Sequence, residues 1–101
     1  MYGITPDIRA KITLTGRDFV CSGYRPVHKI DGINYLTTGV HEYIDRAGLN
    51  RNETVEGNII FISPEEYPHT MRVGMNIPFY EGERLIGIAE VVEIYTELLK
   101  A

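Results

Sequence analysis

Ile8, Ala10, Ile12 and Leu14 alternate with Arg9, Lys11 and Thr13. A period of two places one face of a strand in a core and the other in water. Gly16-Arg17-Asp18 ends that pattern. Arg25 to Ile30 predicts a second strand, with Pro26 near its start, where a missing N–H costs least. Asp31-Gly32, followed by Ile33 to Leu36, predicts a type I′ hairpin, because both residue types enter positive φ cheaply. Val40 to Ile44 continues or re-forms a strand, and the polar stretch Asp45 to Glu56, with Gly48, Asn50 and Asn52, predicts a loop. Asn58 to Ile62 is mostly apolar and predicts a strand buried on both faces. Ser63-Pro64-Glu65-Glu66 has the chemistry of a helix start, which Pro68 limits to one turn. Val73, Met75, Ile77 and Phe79 alternate again, and Glu81-Gly82-Glu83 reads as a turn. Arg84 to Tyr95 is the longest extended segment, and Gly87 within it marks a bend, a bulge or a close backbone approach. Thr96 to Ala101 reads as a short helical end. About six strands with glycine bends predict an all-β barrel, since closure removes exposed edges.

Composition narrows the class. A chain of 101 residues is one domain, 1–101, and buries roughly 60–70% of its unfolded surface. With 44% hydrophobic and 24% charged residues it has the make-up of a globular protein, which excludes disorder. The net charge of −4 is uneven: residues 1–51 hold seven Lys/Arg against five Asp/Glu, and residues 52–101 hold three against nine. A general nucleic-acid binder carries a basic footprint, which here is confined to the first half. No apolar run approaches the ~20 residues of a membrane span, and Met1 to Asp7 lacks the pattern of a secretory leader. No membrane contact and a cytoplasmic location are the expectations. The single cysteine, Cys21, forms no internal disulfide.

Candidate chemistry is sparse. His28, His41 and His69 do not stand at zinc-ligand spacing from Cys21 or from one another, and they read as partly exposed. Cys21, in Phe19-Val20-Cys21-Ser22, reads as a small buried hydrophobe. The acids Glu65-Glu66 belong to the helix start and Glu81/Glu83 to a turn. No phosphate-cradling glycine motif is present. The expectation is a non-enzyme with no catalytic residues, no metal and no cofactor. Among seven tyrosines, Tyr24-Arg25 and Tyr80 to Arg84 interleave aromatic and basic residues as base-stacking surfaces do, although tyrosines packing on a β surface account for them better.

Two segments carry a resemblance. Gly23-Tyr24-Arg25-Pro26 precedes, by a long interval, Phe79-Tyr80-Glu81-Gly82-Glu83-Arg84-Leu85-Ile86-Gly87. In this order they resemble the C-terminal β-barrel domain of bacterial elongation factor Tu, with Asn58 to Ile62 and Val91-Val92 as matching strands. The resemblance spans roughly residues 7 to 95 and implies a six-stranded antiparallel β-barrel without an active site. It also implies contact with the T-stem of aminoacyl-tRNA and with translation factors, carried over onto Arg25, Glu81, Gly82 and Arg84. The chain departs from the family at Tyr80, where arginine is usual, and at Glu83, which replaces a glycine; both changes weaken phosphate affinity. The stretch from Val27 to Gly57 is longer than in the family, with Thr37-Thr38-Gly39 the only familiar patch. Neither a GTPase domain nor a second barrel accompanies it, and an opening Met1 suits a stand-alone single-domain protein.

Two non-catalytic functions follow. One is a translation-related module that binds tRNA or a protein of the translation machinery. The alternative is a protein-interaction module, such as a toxin-neutralising immunity protein or a regulator, whose acidic second half suits a basic protein partner such as a toxin. A basic face from Arg9, Lys11, Arg17, Arg25 and Lys29 beside Arg84 favours RNA. An acidic face from Glu53, Glu56, Glu65, Glu66, Glu90 and Glu93 favours a protein.

Overall fold

The computed structural model describes residues 5–101; the expectation drawn from Met1 to Asp7 rests in part on residues 1–4, outside them. Among the described residues eight strands form, and six of them close into an antiparallel barrel: β1 (Ile8–Leu14), β3 (Val27–Lys29), β4 (Leu36–Tyr43), β6 (Thr54–Phe61), β7 (Asn76–Glu81) and β8 (Arg84–Ile94). Around the barrel the order is β1-β6-β4-β3-β7-β8. The remaining two, β2 (Phe19–Cys21) and β5 (Gly48–Asn50), pair with each other as a separate ribbon. The all-β barrel expected from the pattern is therefore the fold. No helix among the described residues is long and apolar enough to cross a membrane.

The alternation that defines β1 becomes burial: Ile8, Ala10, Ile12 and Leu14 are fully enclosed. From the other strands, Ile59, Phe61, Ile77, Phe79, Ile86, Ala89 and Val91 fill the same interior. Long-range contacts must form before such a core gains stability, because each apolar stripe is narrow and closes only against strands distant in sequence. Outward residues of β1 are neutralised across the ladder. Arg9 lies opposite Glu93 and bonds Glu56 at 2.7 Å, and Lys11 lies opposite Glu56 and Glu90. A register shift of β8 against β7 leaves Ile86 without a partner opposite, between the pairs Phe79–Gly87 and Tyr80–Leu85. This is the irregularity anticipated at Gly87, and it lets both Ile86 and Gly87 face the interior.

Several local expectations are corrected. The polar stretch from Asp45 to Glu56 is not a single loop: it holds β5 and the start of β6, because Asp45 and Asn52 take positive φ and turn the chain tightly on either side. Asn58 to Ile62 is not buried on both faces; Ile59 and Phe61 point inward, Asn58 and Ile60 are partly exposed and Ile62 is exposed. The Asp31-Gly32 turn is not type I′, since positive φ occurs at Gly32 and not at Asp31. Ser63 makes no side-chain cap, and Pro64–Glu66 is a single 3-10 turn. Val73 lies in a turn ahead of β7 rather than in the strand. The tail does take the short helical end expected of it, a second 3-10 turn, Glu97–Leu99, that places Leu99 in the core.

Near the N-terminal end of the described chain, buried Asp7 joins three segments. Its carboxylate accepts the backbone N–H of Phe61 at 2.7 Å and the Thr96 hydroxyl, and its carbonyl accepts the N–H of Tyr95 at 2.8 Å. A carboxylate is buried here because its lone pairs meet donors that would otherwise be unpaired.

Candidate functional site

The residues singled out by sequence gather at one end of the barrel. Glu81 ends β7, Gly82 takes φ +60 in the turn and Arg84 opens β8. The turn needs glycine for that φ, since a side chain there would be strained. Tyr24 reaches across from the segment before β3, and its hydroxyl donates to the Glu81 carboxylate. Arg25 follows directly and is exposed. The loop after β1 completes the end: Arg17 donates to Glu81 and lies over the Tyr24 ring at 5.7 Å, while Arg84 donates to the Gly16 carbonyl. Arg51 bonds Asp18 at 3.0 Å and the Thr15 carbonyl at 2.8 Å.

These contacts sort the four residues. The Glu81 carboxylate is committed to the protein; hydrogen bonding from Tyr24, then the neighbouring Arg17, holds it below the usual carboxylate range. The Tyr24 hydroxyl is pushed up by burial and by that carboxylate. Gly82 shapes the turn. Arg25 and Arg84 have no carboxylate within 4.0 Å among the described residues, so their charges remain available at the rim. Arg17, Asp18, Phe19, Arg51, Glu81 and Arg84 line a shallow cleft there. As a site residue, Arg17 is named from sequence only as part of a basic face beside Arg84, and Arg51 is not named at all. Arg51 sits in the stretch expected to be loop, and only the β2–β5 ribbon carries it to this end.

The charge criterion falls between its two outcomes. Arg9 pairs with Glu56 and Arg46 with Glu53, while Lys11 stands among cross-strand acids. Of the six basic residues named for that face, Arg9 and Arg17 are paired with carboxylates, while Lys11, Arg25, Lys29 and Arg84 have none within 4.0 Å among the described residues.

Two histidines contradict the expectation of partial exposure. His28 and His41 are fully buried in the barrel, with their Nε2 atoms 2.8 Å apart. Phe79 packs edge-on against His41 at 4.8 Å and Phe61 against His28 at 5.3 Å. The His28 Nδ1–H donates to the Thr37 carbonyl at 3.2 Å. His28 Nε2 is then an acceptor, His41 Nε2–H is the donor and His41 Nδ1 faces no partner. Burial pushes His28 down to about 4, while burial and then His28 hold His41 well below the usual range. The parity was legible, since Gly39, His41 and Tyr43 share one face of β4; the glycine at 39 is required because a Cβ there would stand 2.9 Å from the His28 ring and 3.0 Å from Ile59. His69 is exposed, as expected, and its Nδ1–H donates to the Lys100 carbonyl. Cys21 is corrected in the opposite sense: it is exposed, because Val20 takes the inward position of the three-residue β2. No cluster of three or more metal-ligating side chains occurs among the described residues.

No family model matches the chain. A stretch of 61 residues, 60% of the chain, is 39% identical to part of an amino-acid acetyltransferase of Azotobacter vinelandii (strain DJ / ATCC BAA-1303). It is 38% identical to part of an amino-acid acetyltransferase of Ectopseudomonas mendocina (strain ymp). The matched stretch covers 13% of the length of either relative, so the likeness is to a fragment of each.

Proposed function

We propose that the chain is a non-catalytic binding module related to the C-terminal barrel of elongation factor Tu, and that it engages tRNA or a translation factor through the β7–β8 end of the barrel. The observation that supports this most is the cleft in which Arg84 stands with Arg17 and Arg51, Arg84 being exposed and without a carboxylate partner among the described residues, while Arg25, also exposed, follows Tyr24, whose hydroxyl reaches Glu81 in the same cleft. Cations placed so contact phosphate oxygens or a carboxylate-bearing protein surface, and Tyr24 and Phe19 add aromatic faces nearby. Fluorescence anisotropy with labelled tRNA across a salt series tests the reading. Arg84→Ala is expected to weaken binding and to flatten the salt slope by about one phosphate contact. An unchanged affinity and slope, or no tRNA binding by the parent, removes RNA from the proposal.

A second reading, a protein-interaction module such as an immunity protein or regulator, draws on a different observation. The outer wall carries apolar side chains: Val27 lies opposite Tyr80 and Tyr80 opposite Leu85, with Leu36 exposed on β4 and Ile62 exposed directly after β6. Exposed apolar surface of this kind marks protein contacts. Retention of a single protein from lysate, resistant to nuclease and lost on Ile62→Asp, favours this reading over the first.

A further inference from the structure

We propose that the His28–His41 pair is an acid-sensitive latch between β3 and β4, whose protonation frees β3 and opens the barrel at that strand. β3 is the least secured strand in the ring. Two register pairs, Val27–Tyr80 and His28–Phe79, join it to β7 and three join it to β4, whereas five or more join every other neighbouring pair. The strand it would release carries one half of the latch.

The pair has room for one proton between its facing nitrogens. A second proton at His28 Nε2 would set two N–H groups against each other across 2.8 Å. A proton at His41 Nδ1 would create a buried donor with no acceptor. Charging either ring therefore breaks the contact or leaves a charge unpaired. The surrounding elements supply no counter-ion. Phe61 faces the pair from β6, Phe79 from β7, Tyr43 from β4 and Tyr24 from the segment before β3. Of these only the tyrosines titrate, and burial raises both. Glu81 and Arg17 lie beyond the Tyr24 hydroxyl and are paired with each other.

The sign follows from linkage. In the closed barrel the rings are held neutral, and in the opened barrel they are solvated with an ordinary value near 6.5. The open form then binds more protons as pH falls below 6.5, so closure is fully favoured above that value and is progressively lost toward 4. From pH 7 to pH 5 each solvated histidine favours the open form by roughly 20-fold.

Hydrogen exchange resolved by strand, corrected for the pH dependence of intrinsic exchange, tests the latch in the whole chain at pH 7 and pH 5. The expected result is a rise of about 20-fold or more in the opening of Val27–Lys29 and of the stretches of β4 and β7 that face it, with β1 and β8 little changed. That response should vanish in His28→Asn/His41→Gln, which keeps donors but cannot titrate. Equal acceleration in all strands would overturn the proposal, since the transition would be global unfolding. Should the double variant not fold, an NMR titration of the parent's imidazoles decides: both rings titrating near 6.5 with every barrel shift intact would also overturn it.

Discussion

Gly87→Ala tests the packing that encloses this core. A Cβ at Gly87 would stand 2.2 Å from the Thr13 carbonyl oxygen and 2.4 Å from Phe79 Cζ. The first is a backbone atom of β1, the strand paired with β8 through Leu14–Gly87, so it moves only if the ladder moves. The second belongs to a fully buried ring packed against His41, so displacing it disturbs the histidine pair as well. Overpacking of a filled interior costs about 1–3 kcal/mol. With one immobile and one buried neighbour the upper end applies, about 3 kcal/mol, and Gly87→Val exceeds it. For a domain of this length that lowers Tm by about 12–24 °C. Gly82→Ala is the matched control: φ is +60, but nothing lies within 4 Å of the added carbon, so backbone strain alone costs about 1 kcal/mol. Urea unfolding followed by circular dichroism, with thermal melts, measures both. A Gly87→Ala variant as stable as Gly82→Ala would refute the close approach of β1, β7 and β8.

Asp7→Ala should cost about 2–3 kcal/mol in urea unfolding, because the buried Phe61 N–H loses its acceptor; a loss under 0.5 kcal/mol would mean that water reaches that donor. Tyr24→Phe should move the Glu81 carboxyl titration upward in NMR, toward the ordinary carboxylate value, since Tyr24 is the main cause of its depression; an unmoved titration would place the control with Arg17. The exposed Cys21 should react with a thiol reagent in native buffer at near one equivalent, and a reaction that requires denaturant would restore the buried reading.

Much of the barrel was legible because strand character is local. Ile8 to Leu14 and Arg84 to Tyr95 announce themselves through neighbours two apart, and β1 and β8 occupy nearly those spans. Gly82 and Gly87 were legible for the same reason, as glycines placed where a turn and an inward approach require them. Of the candidate site, Glu81, Gly82 and Arg84 sit in one hairpin, so their adjacency followed from sequence order. The addition of Arg17 and Arg51 did not, because it depends on how the segments after β1 and β5 fold back beside that hairpin.

The alternation of side chains by itself determined that this chain is all-β and how its longest strands face, since a period of two needs no knowledge of partners. Tertiary structure alone decided that β3 and β4 bring His28 and His41 into contact inside the barrel, that Val20 rather than Cys21 turns inward, and that Glu81 is spent on Tyr24 and Arg17. Each of these outcomes is a choice among partners far apart in sequence, and it is made by the burial and charge of the groups that closure brings together.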